Sequence, residues 1–169
     1  MKKSLQIIRN VLVWNLYLLL VILSANPIFA DSIVITEVLF DESGSDNNKE
    51  YIEIYFDYPL NSTLPVLTNH SVFDRSSQDK LEVVFEHDSN FALIVEEGFD
   101  YSDVNCSVYS AGATIGNNLN NDNDSILIQD GYNNTLANIS YNVLDHPDFQ
   151  PGKSIHFSNG SSFVGPRSP

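Results

Sequence analysis

Three glutamates in the first third of the chain, Glu37, Glu50 and Glu53, are the side chains best spaced to do chemistry together. Glu37 sits in the apolar run Ser32 to Phe40, and Glu53 in the run Tyr51 to Phe56. If those runs pair as neighbouring strands, the carboxylates converge. Close carboxylates raise one another's pKa or share a divalent cation. Carboxylate pairs also serve glycoside hydrolysis, which needs a sugar cleft that nothing in this sequence suggests. The plainer reading is favoured: Glu53 faces solvent beside Tyr51 and Tyr55, and Glu37 accepts hydrogen bonds near a strand end.

A second oxygen-rich stretch is Asn120-Asn121-Asp122-Asn123-Asp124, which makes Asp122 and Asp124 calcium candidates. An EF-hand loop requires Gly at its sixth position and Glu at its twelfth. Counted from Asn118, those places hold Asn123 and Gln129, so this is no EF-hand and a solvated loop is the favoured reading. Asp41, Glu42 and Asp46 form a similar loop, with Asp41 and Asp46 as further calcium candidates. No cofactor other than calcium is suggested. His70, His87, His146 and His156 are scattered, with neither zinc-ligand spacing nor a Gly-x-Ser-x-Gly nucleophile motif around them. The single cysteine, Cys106, excludes an internal disulfide and reads as a small half-buried side chain.

The elements that must position these groups read as strands. Ile33 to Phe40 is apolar on both parities, as in a strand buried on both faces. In Tyr51 to Phe56, Ile52, Ile54 and Phe56 alternate with Tyr51, Glu53 and Tyr55, a period of two. Ser71 to Phe73 and Leu81 to Phe85 flank the polar turn 74–79 and predict a hairpin with a long loop. Leu64 to Leu67, Phe91 to Val95 and Val104 to Tyr109 are further short runs. Ser125 to Gln129 and Thr135 to Tyr141 enclose Asp130-Gly131, a strong hairpin signal. Lys153 to Phe157 is the last run. No useful stretch has helical periodicity beyond the first thirty residues, and turns fall about every ten residues, which predicts an all-β sandwich.

Residues 1–30 differ from the rest. Lys2, Lys3 and Arg9 precede an apolar run from Val11 to Leu23 broken only by Asn15, and Ala30 ends the segment. This is the build of a signal peptide with cleavage after Ala30, which implies an exported, extracellular or cell-surface protein. Left uncleaved, residues 11–25 would be its contact with the membrane, though the run is short of the roughly 20 residues a span requires. The chain has 22 acidic and 8 basic residues. None of the acids and three of the bases fall before Asp31, so residues 31–169 carry a net charge of −17. Such a surface repels phosphate backbones and excludes nucleic acid as an expected partner. Seven Asn-x-Ser/Thr sequons, at Asn61, Asn69, Asn105, Asn123, Asn133, Asn138 and Asn159, suit a glycosylated surface protein.

Several of these segments together resemble the lamin-tail domain family. Ile35-Thr36-Glu37-Val38 and Glu50-Tyr51-Ile52-Glu53-Ile54 are similar to its opening. Gly116-Asn117, the stretch Asn123 to Ile128, the Asp130-Gly131 turn, Ile139-Ser140-Tyr141, Gly152-Lys153-Ser154-Ile155 and Gly165 to Pro169 are similar to its second half. The likeness covers nearly all of residues 32–169, although the family often has Trp where this chain has Tyr51. It implies an immunoglobulin-like β-sandwich, with Glu37, Glu50 and Glu53 as its acidic motif group, acting as a binding or tethering module. The expected function is therefore a non-enzymatic interaction or anchoring module whose partner is a protein or another component of the cell envelope. Loops 41–48 and 117–124 are the expected contact surfaces. A calcium-dependent adhesion or carbohydrate-binding domain is the alternative, and an accessory domain for a separately encoded extracellular hydrolase is a third.

Overall fold

The computed structural model describes residues 33–44, 48–57 and 67–168. The signal-like segment, Asp46, and the run Leu64 to Val66 lie outside them. The described chain is all-β, with two sheets and one short 3₁₀ turn at Val143–Asp145. No helix among the described residues is long and apolar enough to cross a membrane.

Eleven strands are present in chain order: β1 (Ile33–Leu39), β2 (Tyr51–Phe56), β3 (Ser71–Asp74), β4 (Ser77–Lys80), β5 (Glu82–Phe85), β6 (Phe91–Val95), β7 (Ser107–Ser110), β8 (Asn123–Gln129), β9 (Thr135–Asn142), β10 (Lys153–Ser158) and β11 (Ser161–Pro166). The larger sheet runs β11-β10-β1-β2-β6-β7-β5, and the smaller runs β4-β3-β8-β9. All pairs are antiparallel except β6 with β7, which are parallel and joined by a loop over residues 96–106.

The main core lies between the sheets. Ile52, Ile54 and Phe56 of β2 enter it as their alternation predicts, with Ile35, Val38, Ile94, Ile126, Ile128 and Ile155 from neighbouring strands. Burying side chains of this size contributes about 1.5–3 kcal/mol each. Phe40 stacks on Tyr141 and on Phe149, with ring centroids 4.2 and 4.9 Å away.

The opposite face of the larger sheet is not simply wet. Leu39, Tyr51, Leu93, Val95, Cys106 and Val108 form a second, smaller core against Phe99 and Val104. The crossover between parallel strands β6 and β7 covers this cluster, which is why Tyr51 is buried although its parity points away from the main core.

The fold departs from the sequence expectations at two places. The run Ile33 to Phe40 is buried on both faces only in its second half. The β1–β2 register shifts between Ile35 and Glu37, and Val34 ahead of that bulge is exposed. The predicted loop 74–79 is instead a tight turn followed by β4, because the Asp74 carboxylate accepts the Ser77 N–H at 3.1 Å and closes the chain early. As a result 82–85 does not pair with 71–73. It crosses to the larger sheet and pairs with β7.

Candidate functional site

The β1–β2 pairing sets Glu37 directly opposite Glu53 on the outer face of the larger sheet. Glu37 is fully buried. Its carboxylate accepts hydrogen bonds from the Tyr51 hydroxyl and from both the hydroxyl and the backbone N–H of Ser168, the latter at 3.1 Å. His156 Nδ1 lies 3.6 Å from the same carboxylate. Glu53, half-buried, accepts from the Thr36 hydroxyl at 2.6 Å. Burial holds the Glu53 carboxyl above the usual range, with the Glu37 charge adding to it against the Thr36 bond. Burial and the same Glu37 carboxylate push the Tyr51 hydroxyl far up, so it stays a donor.

Glu50 is not part of this group. It precedes β2 on the other parity, and its carboxylate accepts the Leu119 N–H at 3.1 Å, toward the main core. The convergence of three carboxylates that strand pairing made conceivable is therefore a pair plus one distant residue, while Glu37 accepts hydrogen bonds as the favoured reading has it. The two strands meet as expected, but the alternation of side chains sends Glu50 and Glu53 to opposite faces.

Ser154, His156 and Glu37 stand in the order of a nucleophile, base and acid. His156 Nε2 is 3.1 Å from Ser154 Oγ, and β10 places both side chains on one face. Two features oppose hydrolytic chemistry. Ser154 has 0% exposure. The same Nε2 lies 3.0 Å from the Pro166 carbonyl oxygen, which can only accept, so this nitrogen carries its hydrogen already. The arrangement fastens the C-terminal residues to the sheet face.

Its logic recurs elsewhere in the sandwich. All five buried acids among the described residues, Glu37, Glu50, Asp74, Glu96 and Asp124, accept backbone N–H groups from a neighbouring loop or terminus. Glu96 accepts from Lys49 at 3.1 Å, Asp74 from Asn117 at 2.9 Å, and Asp124 from Asn120 at 3.1 Å. Asp79 accepts from Gly116 at 2.6 Å. Backbone amides outside the regular ladders are satisfied by these carboxylates, which fasten Lys49 ahead of β2 and the stretch 116–120 to the sandwich. Asp74 and Glu96 were not singled out from sequence. A lone acid beside a turn, or one just after an apolar run, looks like a solvated residue.

The calcium candidates divide. Asp124 turns inward, capping the Asn120 and Ser125 amides with Arg75 Nε at 3.6 Å, while Asp122 is exposed. Their side chains therefore do not share one environment. The Asp41 carbonyl accepts the Gly152 N–H at 2.7 Å, and Asp46 lies outside the described residues. No group of three or more His, Cys, Asp or Glu among the described residues is arranged to hold a metal ion. Burial pushes the Cys106 thiol up to about 11, far from a reactive thiolate.

No family model, curated protein or solved structure matches this chain. What can be said of its function rests on the residues and the geometry above.

Proposed function

We propose that this is an exported, non-enzymatic interaction or anchoring module at the cell surface, built as an immunoglobulin-like sandwich of the lamin-tail kind. The observation that carries the reading is the set of buried carboxylates that pin loop amides to the sandwich. A rigid two-sheet body holding ordered, polar loops is the arrangement by which sandwich domains present a recognition surface. The buried acids are occupied in that structural work, and the one nucleophile-like serine is enclosed.

The signal-like first thirty residues support export, and the acidity of residues 31–169 favours a basic or neutral partner in the envelope over nucleic acid. The test is sedimentation of the protein with cell envelopes. We expect retention that disappears when 117–121 is replaced by a Gly/Ser linker and that a chelator leaves unchanged. Retention abolished by chelator and restored by calcium would replace this reading with the calcium-dependent adhesin. Wild-type protein staying wholly in the supernatant would overturn it.

A further inference from the structure

We propose that β5 receives an extended, basic segment of a partner protein, which joins the larger sheet as an additional strand. The inference rests on the interaction-module reading and names the chemistry of its partner. Among the described residues the two sheets end in four edge strands, β11, β5, β4 and β9. Edges invite pairing, and proteins blunt them with Pro, Lys or polar residues. Three of the four follow that practice. β11 ends in Gly165-Pro166, β4 is Ser-Gln-Asp-Lys, and β9 exposes Thr135, Asn138 and Ser140.

β5 does not. It carries Val83, Val84 and Phe85 in succession, exposed by 39%, 41% and 41%, with neither Pro nor Lys inside the strand. Among the described residues its only strand partner is β7, and the register slips between Val83 and Phe85 so that Val84 has no opposite residue there.

The charges around this edge decide the occupant. Glu82 and Glu86 bracket the apolar triplet, and both are exposed. A second copy pairing antiparallel about Val84 would set Glu82 against Glu86 twice, and like charges directly opposite are destabilising. A strand alternating apolar residues with Lys or Arg meets the same edge with complementary charge. A cleft of about 730 Å³ opens beside β5, bordered by Glu82, Val84, Glu97, Phe99 and Tyr101, with Lys80 its one base. A cleft of that volume accommodates a long basic side chain, and Glu97 and Tyr101 in its lining offer one a carboxylate and an aromatic ring.

The probe is a capped peptide of alternating Lys and Val. Comparison peptides alternate Glu and Val, or carry a central Pro that cannot complete a ladder. Binding is followed by fluorescence anisotropy and by amide hydrogen exchange of the whole protein. We expect the Lys/Val peptide to slow exchange at 82–86 and to bind at least about tenfold tighter than either comparison peptide. Two variants that leave the unfolding midpoint in place sharpen the test. V84K weakens binding by about tenfold or more, and the E82K/E86K pair shifts preference to the Glu/Val peptide. Equal binding of all three peptides, or protection elsewhere than 82–86, would overturn the proposal. So would a peptide-free dimer protected at 82–86, which would name a second copy as the occupant. Either result alongside intact envelope retention removes the strand-addition inference and leaves the module reading standing.

Discussion

Glu37 shows how a fully buried carboxylate can stabilise rather than strain a fold. Its charge is surrounded by the Tyr51 hydroxyl, both donors of Ser168 and the His156 ring. Removing it strands the Tyr51 and Ser168 donors, so E37A should lose about 3 kcal/mol, a fall of about 10 °C in the unfolding midpoint. Y51F, which leaves the carboxylate one donor short, should lose about 2 kcal/mol. Urea unfolding measures both, and a loss under about 0.5 kcal/mol for E37A would contradict the clasp. Glu53 behaves in the opposite sense. Its folded pKa is raised by burial and by Glu37, so the folded state holds its proton more tightly than the unfolded chain. That contribution is present below the unfolded value of 4.5 and is lost as pH rises through the folded value. E53Q should therefore match the wild type near pH 4 and exceed it at pH 7, with a flatter melting profile between. A mutant less stable than wild type at pH 7 would show that the Glu53 charge is needed. The Glu37–Glu53 pair was legible in the sequence because strand periodicity is local. The roles of Asp74 and Glu96 were not, since a carboxylate's use as a loop cap depends on a chain segment 43 or 47 residues away.

Among the elements, those with a long apolar or alternating run were readable from the sequence. β1 with β2, and β8 with β9 around Asp130, pair as their patterns require. In the second hairpin the Asp130 carboxylate caps the Tyr132 and Asn134 amides at 2.8 Å. β4 and β11 escaped notice because Ser77-Gln78-Asp79-Lys80 and Ser161-Ser162 have little strand propensity, and pairing with β3 and β10 overrides it. The transfer of 82–85 to the other sheet was hidden for a related reason. Val83, Val84 and Phe85 look the same whichever strand they join. The junction between the 111–122 loop and the β3–β4 hairpin is the element most exposed to a single change. Gly116 has φ +66°, and a Cβ there would fall within 2.7 Å of both Asp74 carboxylate oxygens. G116A should cost roughly 2–4 kcal/mol through strain and the displaced Asp74. A urea midpoint within error of wild type would show that the loop relaxes around the added methyl group.

For the molecule as a whole, charge is the dominant surface property. With 22 acids against 8 bases, the folded chain repels itself, and salt relieves that repulsion. Raising NaCl from about 20 mM to about 0.5 M should lift the unfolding midpoint by a few degrees, an effect that scanning calorimetry resolves. A midpoint that falls instead would mean that attractive ion pairs, such as Arg167 with Glu42 at 3.0 Å, outweigh the repulsion.

The bond from Ser168 to Glu37 joins positions 131 residues apart, and β1 lies between β2 and β10 in the sheet. The ribosome delivers the first strand long before its second neighbour. At about 5–20 residues per second the interval is on the order of ten seconds. During that time β1 has one flank bare and Glu37 lacks both donors of Ser168. The Glu37 clasp therefore closes only after synthesis has passed Ser168. A nascent chain of this kind depends on whatever escorts it to keep Ile33 to Phe40 from finding another strand first.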